Sequence, residues 1–311
     1  MNRQQTERVG NGRPRAWRDY LELTKPRVTS MVLVTTGIGY HLGAAGRFSL
    51  MALLFTLVGT ALVAAGTSAL NQYLEREVDG RMLRTRGRPL PAGRLTPGSA
   101  RFFAWSISLA GLALLALCVN LITAFLALFT LITYVYVYTP MKRFSSFSTL
   151  VGAVPGAIPP LMGWTAACGA VTPGGLALFA ILFVWQLPHS LAIGVLYRDD
   201  YARGGFALLP VLDARGEGTG AWGSGGGMTG RQILAHALVL LPVSLVPALI
   251  GVTGPVYFAG AVILGIALAA LAVPVAVQGT ARSARRLVLA SVVYLPALLG
   301  LMALSGAPPA P

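Results

Sequence analysis

Nine apolar stretches run through this chain, at roughly 28–46, 50–73, 101–119, 121–139, 148–167, 174–196, 232–251, 254–277 and 285–305. Each approaches the ~20 residues that a helix needs to cross a hydrocarbon core of ~30 Å. In that medium the backbone has no water to bond, so it must satisfy its N–H and C=O groups internally, and a continuous apolar segment does so as a helix. The expected fold is therefore an all-α integral membrane protein, a nine-transmembrane-helix bundle. Composition agrees: 55% of the 311 residues are hydrophobic, 11% are charged, and the mean hydropathy is +0.69.

A net charge of +14 raises nucleic acid as a partner, but the distribution of the charges answers otherwise. With the N-terminus placed in the cytoplasm, Arg47 is the one member of the 24 Lys and Arg residues that falls outside, and all ten Asp and Glu fall inside. This is the positive-inside pattern of a multi-pass protein, so no nucleic-acid partner is expected and membrane lipid is. The expected location is the cell (inner) membrane, with the N-terminus cytoplasmic and the C-terminus outside. Residues 1–23 read as a cytoplasmic tail ending in an interfacial helix. Residues 24–311 read as one membrane domain. Its inner connections at 74–100, 140–147 and 197–213 are long and polar where the outer ones are short and bland, so a central apolar cavity should open to the cytoplasm. The glycine-rich run from Gly216 to Gly230 reads as a flexible linker.

Chemistry concentrates at the inner ends of the spans. Asn71, Glu75 and Asp79 are spaced by four, which on a helix makes one slanted stripe about 12 Å long. Carboxylate and amide oxygens suit a hard divalent cation such as Mg2+. Five arginines follow at once (Arg81, Arg84, Arg86, Arg88 and Arg94), and guanidinium groups match the phosphates that such a cation accompanies. A solvated helix end would explain the stripe alone, but not the stripe together with the arginines and the Pro89-Leu90-Pro91 turn.

A second acidic pair, Asp199 and Asp200, follows Trp185, Pro188 and His189. If the helix continues past Tyr197, Asp200 nearly eclipses His189 and Asp199 points a quarter-turn away, which favours Asp200 as a cavity wall. His189 is either a bond between helices, a haem or substrate contact, or a proton acceptor. Lys142 and Arg143 form a further basic site after Tyr134, Tyr136 and Tyr138, at least two of which read as an interfacial aromatic belt.

Together, Asn71-x₃-Glu75-x₃-Asp79, Arg84-Thr85-x₂-Arg88-Pro89-Leu90-Pro91, Tyr138-Thr139-x₂-Lys142-Arg143 and Asp199-Asp200-Tyr201-Ala202-Arg203, with Leu23-Thr24-Lys25-Pro26-Arg27 ahead of them, resemble the intramembrane aromatic prenyltransferase superfamily, and most of all its haem-farnesylating branch. The resemblance covers about residues 20–212. It implies transfer of a farnesyl group from farnesyl diphosphate to the vinyl group of haem B, giving haem O, with Mg2+ as cofactor, haem B as substrate and a haem A synthase downstream. It also implies site roles. Asn71, Glu75, Asp79, Asp199 and Asp200 would be catalytic, with Asn71, Glu75, Asp79 and Asp200 holding metal. Arg84, Arg88, Lys142 and Arg143 would bind the diphosphate, and His189 would meet the haem or other acceptor. The same fold and chemistry would serve a polyprenyltransferase acting on 4-hydroxybenzoate or a related aromatic acid. A secondary transporter of an anionic substrate would need polar groups in both halves of its pathway, and the outer loops offer almost none.

Overall fold

The structure, a computed structural model, describes residues 16–216 and 227–305, and among these every regular element is helical. A short amphipathic helix α1 (Ala16–Leu23) leads into α2 (Pro26–Gly43), α3 (Leu50–Asp79), α4 (Pro97–Cys118) and α5 (Leu121–Ile132). A π-helical stretch (Thr133–Tyr138) and one turn of α-helix, α6 (Thr139–Met141), continue α5 without a break. Then come α7 (Ser148–Cys168), α8 (Pro173–Leu196), α9 (Arg198–Arg203), α10 (Leu209–Ala214), α11 (Gly227–Leu249), α12 (Pro255–Gln278) and α13 (Ala281–Leu304). The stretches 1–15, 217–226 and 306–311, which include the expected N-terminal tail and most of the glycine-rich run, lie outside the described residues.

Local chemistry sets the helix ends. Side chains of Ser49, Thr96, Asn120 and Thr280 accept from the backbone N–H three residues on, capping α3, α4, α5 and α13. Pro26, Pro97, Pro173 and Pro255 open α2, α4, α8 and α12, where a missing N–H costs nothing. Gly169 and Gly279 close α7 and α12 in the left-handed conformation. The π-helical stretch has its own cause: Pro140 cannot donate into the preceding turn, and the Thr139 hydroxyl bonds the Tyr134 carbonyl five residues back at 2.8 Å.

Eight helices are long and apolar enough to cross a membrane among the described residues, Leu121–Met141 counting as one. The first of the nine expected spans corresponds to α2, which is 18 residues long and more polar than the others, carrying Arg27, Thr29, Ser30, Thr35, Thr36 and His41. The hydroxyls of Thr29, Ser30, Thr35 and Thr36 bond backbone carbonyls three to five residues earlier, and α7 packs closely on this helix. A Cβ on Gly39 would strike the Pro160 carbonyl, and one on Gly163 would strike the Thr36 carbonyl, so the two backbones touch through small residues. The main core lies among α7, α8, α11, α12 and α13 around Leu178, Ile181, Leu240, Tyr257, Leu268 and Leu298. A second cluster joins Leu23 to Ala69, Leu70, Leu90 and Ala104, and so seats α1 and the loop after α3 on the inner end of α3.

Helix α3 runs beyond its apolar stretch to Asp79, and at 30 residues it keeps the whole acidic stripe on one helix, as the four-residue spacing expects. Two expectations change. Helix α8 ends at Leu196 and Tyr197 breaks the helix, so the projected eclipse of His189 with Asp200 does not arise. Gly227 and Gly230, expected in a linker, belong to α11, and Gly230 packs against Ala276 of α12.

The α2–α7 contact yields a test. Gly163→Ala should destabilise the detergent-solubilised protein by ~1–3 kcal/mol, since a methyl there must push two backbones apart. Gly300→Ala, where an added Cβ meets open space, should leave the melting temperature unchanged. Equal melting temperatures for the two variants would contradict this packing.

Candidate active site

The C-terminal end of α3 presents Asn71, Glu75 and Asp79, all buried, and each meets a cation from a different part of the chain. Lys25 Nζ donates to Asn71 Oδ1 at 2.9 Å. Lys142 Nζ donates to Glu75 Oε1 at 2.8 Å, and Arg88 to Asp79 Oδ2 at 2.6 Å. The stripe is therefore a ladder of three charged rungs. Its register is fixed at the bottom by Thr139, whose hydroxyl accepts from Asn71 Nδ2 at 3.1 Å while it donates to Tyr134. The π-helical stretch is thus what brings Thr139 to Asn71.

Each cation is held by its surroundings. Lys142 sits 4.4 Å from the centre of the Tyr138 ring, and Tyr134 and Tyr138 lie 5.0 Å apart. Only Tyr136 faces outward among these three tyrosines, so the expected belt of at least two reduces to one. Lys25 occupies the left-handed backbone region, φ 47°, at the junction of α1 and α2, a conformation costing a non-glycine residue ~1–3 kcal/mol. Burial, and then the neighbouring Arg88 guanidinium, push its ammonium down to about 7. Lys25 had a place in a motif but no expected role. Its one sequence signal was a basic residue before the helix-opening Pro26.

The second acidic pair divides. Asp200 is buried: its Oδ1 accepts from the Leu83 N–H at 2.8 Å and from Arg203 at 2.9 Å, and its Oδ2 from the Arg84 N–H at 3.3 Å. Burial opposes its ionisation, but Arg203 and the two backbone donors hold it below the usual carboxylate range. Asp200 therefore ties α9 to the loop that follows α3. Asp199 is 85% exposed and contacts Arg198 at 3.7 Å, so the structure does not bring it to the ladder.

The arginines also separate. Arg88 reaches Asp79. Arg84 lies over the rings of Tyr197 and Tyr201, 5.2 and 5.7 Å from their centres, beside a cleft lined by Leu83, Asp199, Asp200 and Arg203. Arg94 binds Asp19 and Glu22 of α1 at 2.7 and 2.5 Å and so serves that helix. Arg81, Arg86 and Arg143 are exposed. His189 is deeper in α8, stacked on Trp185 at 4.8 Å, away from the ladder.

Among the described residues no group of three or more His, Cys, Asp or Glu side chains converges as a ready-made metal cage. The donors nevertheless suit a hard cation. Asp79 Oδ1 is buried without a hydrogen-bond partner, and the remaining ladder ligands are oxygens now facing cations. A buried carboxylate with one unsatisfied oxygen, flanked by displaceable cations, fits a divalent ion arriving with an anion.

A helical membrane bundle carrying an oxygen ladder and a surplus of cations at one end defines a class of protein that handles anionic, lipid-soluble substrates. Comparison with known proteins makes this specific: residues 32–294 match the UbiA prenyltransferase family, and the chain belongs to that family. It is a multi-pass membrane prenyltransferase. The chain is 47% identical over 296 residues to a protoheme IX farnesyltransferase of Solibacter usitatus, spanning 92% of this chain and 98% of that one. It is likewise 47% identical over 278 residues to a protoheme IX farnesyltransferase of an Anaeromyxobacter strain, spanning 89% and 90%. In fold it resembles a UbiA homologue from Archaeoglobus fulgidus solved with DMAPP and Mg2+, at a TM-score of 0.63 and 15% identity over 91% of this chain and 99% of that one. A digeranylgeranylglyceryl phosphate synthase gives a TM-score of 0.76 at 15% identity, over 93% and 98%.

Lys25 offers a pH test. Its folded-state value lies below that of an unfolded lysine, ~10.4. The unfolded chain therefore binds more protons between about pH 7 and about pH 10, and stability rises with pH across that window. Lys25→Met removes the group, so the melting temperature of the wild type relative to the variant should climb between about pH 6 and about pH 9. A difference that stays flat would show that Lys25 is not held in a desolvated, cation-rich setting.

Proposed function

We propose that this prenyltransferase moves a farnesyl group from farnesyl diphosphate to a vinyl group of haem B, giving haem O. The observation that carries the reading is near full-length identity of 47% to protoheme IX farnesyltransferases, joined to an oxygen ladder whose cations are placed to receive a diphosphate.

In this reading α2 is a ninth span and the protein lies in the cell inner membrane, with its N-terminus cytoplasmic and its C-terminus outside. The ladder then stands at the cytoplasmic mouth of an apolar chamber that holds the farnesyl chain. Asn71, Glu75 and Asp79 would hold Mg2+, with Asp200 on the same side. When bound, the ion supplies charge neutralisation to the diphosphate. Lys142 and Arg88, released from Glu75 and Asp79, turn to the diphosphate oxygens, and Arg84 and Arg143 extend that cationic surface outward. Asp200 fixes the loop bearing Arg84 and Arg88, and Asp199 stays in solvent at its rim.

Departure of the diphosphate takes the electron pair of the C1–O bond and leaves an allylic cation, which preorganised cations on the leaving side favour. The haem vinyl group forms the new C–C bond. One water adds to the resulting porphyrin-side carbon and loses a proton, giving the hydroxyethylfarnesyl group. The apolar chamber keeps bulk water from the cation beforehand. His189, stacked on Trp185 within α8, would meet the acceptor. A haem A synthase would consume the product.

Membranes containing the protein, supplied with haem B, farnesyl diphosphate and Mg2+, should form haem O detectable by mass spectrometry. Asp79→Asn should lower that rate by a factor of 10² or more while the protein remains folded in the membrane, as loss of a transition-state charge contact does. Prenylation of 4-hydroxybenzoate without any haem O would overturn the assignment, and near-normal turnover by Asp79→Asn would remove that residue from the mechanism.

A further inference from the structure

The Trp185–His189–Ser291 cluster between α8 and α13 is not used by the ladder, and its hydrogen bonds point to Nε2 as the free nitrogen of His189. His189 Nδ1 lies 2.7 Å from Ser291 Oγ. Ser291 Oγ also lies 2.8 Å from the Val288 carbonyl, which can only accept. A hydroxyl has one hydrogen, so giving it to Val288 makes the oxygen an acceptor toward Nδ1–H. The other tautomer would place the proton on Nε2, and among the described residues Nε2 has no hydrogen-bond partner. The arrangement that satisfies every hydrogen is Nδ1–H to Ser291, Ser291 O–H to Val288, and a bare Nε2 lone pair.

Trp185 completes the cluster. Its ring stacks on the imidazole at an interplanar angle of 15°, and its Nε1–H donates to the Ser291 carbonyl at 2.9 Å. One α13 residue therefore fixes the imidazole through its hydroxyl and the stacked indole through its carbonyl. The ring cannot swing without breaking its Nδ1 bond to Ser291 and leaving the stacked indole, and a rigid imidazole presenting Nε2, its other nitrogen bonded, is how proteins offer histidine to a metal.

We propose that Ser291 is a positioning residue that locks His189 with Nε2 bare, and that this lone pair coordinates the iron of a metalloporphyrin acceptor. The inference rests on the acceptor reading above and adds to it the residue that sets the ligand's tautomer and orientation. Trp185 covers one face of the imidazole, so the porphyrin approaches Nε2 edge-on to that ring.

The test is iron protoporphyrin IX binding to the full-length protein in lipid nanodiscs, followed by the Soret band and the iron–imidazole stretch in resonance Raman, with haem O formation measured on the same samples. Wild type should show an imidazole-bound iron, and His189→Ala should lose it. Ser291→Ala should weaken porphyrin binding by about tenfold or more and shift the iron–imidazole frequency, with Ser291→Thr restoring both. Unchanged affinity and frequency in a folded Ser291→Ala protein would overturn the role of Ser291. Haem O formation by a wild type with no iron–imidazole signal would overturn coordination while leaving farnesyl transfer standing. Absence of both haem O and porphyrin binding would instead overturn the acceptor reading and the inference with it.

Discussion

The pairing of each oxygen-bearing side chain at the C-terminal end of α3 with a cation from elsewhere in the chain is the interaction on which the rest of this structure depends. Lys25 comes from the α1–α2 junction, Arg88 from the loop after α3, and Lys142 from the turn that ends α6. Two carboxylates and an amide side by side in a buried setting would repel one another and stay poorly solvated. Three cations make the cluster tolerable, and each draws its own segment onto α3. Buried ion pairs of this kind contribute little net stability, since desolvation offsets most of their attraction. Their value here is placement, because cations from three distant segments are gathered at one end of the bundle.

Supporting contacts follow from that demand. Thr139 orients Asn71 only because the helix winds as a π-helix before Pro140. Asp200 bonds the backbone of Leu83 and Arg84 and so anchors the loop whose Arg88 faces Asp79. Arg94 fastens α1 to that same loop, which fixes the start of α2 and hence Lys25. The strained backbone of Lys25 is held by this closure, with Gln72 bonding the Leu23 carbonyl at 2.9 Å just ahead of it.

Much of this was legible in the sequence, for identifiable reasons. Apolar runs of membrane length are unambiguous, and the four-residue spacing of Asn71, Glu75 and Asp79 survives as one helical face because nothing between them breaks a helix. The family resemblance also pointed to Lys142, Arg84 and Arg88. What could not be read depends on contacts across the chain. At least two of Tyr134, Tyr136 and Tyr138 were expected at the lipid surface, but Tyr138 lies against Lys142 and Tyr134 packs on Tyr138, contacts that no local pattern signals. Asp199 and Asp200 are adjacent and chemically identical, and a break at Tyr197 leaves one in solvent and the other beneath a loop more than a hundred residues away. Ser291 lies in an apolar run with no motif around it, and only the α8–α13 contact reveals its bond to His189. Helix α2 has the length of a span, yet its hydroxyls are satisfied by nearby backbone carbonyls and its close seat on α7 comes from Gly39 and Gly163.

We propose that the ladder is closed by its own cations and opens when metal and diphosphate arrive together. The direct measurement is calorimetric titration of the full-length protein in nanodiscs with Mg2+, with pyrophosphate, and with each in the presence of the other. If the cations leave the oxygens only when an anion receives them, each ligand should raise the other's affinity, by a factor on the order of 5–150, and reciprocally. Mg2+ binding whose affinity is the same with and without pyrophosphate would contradict the account.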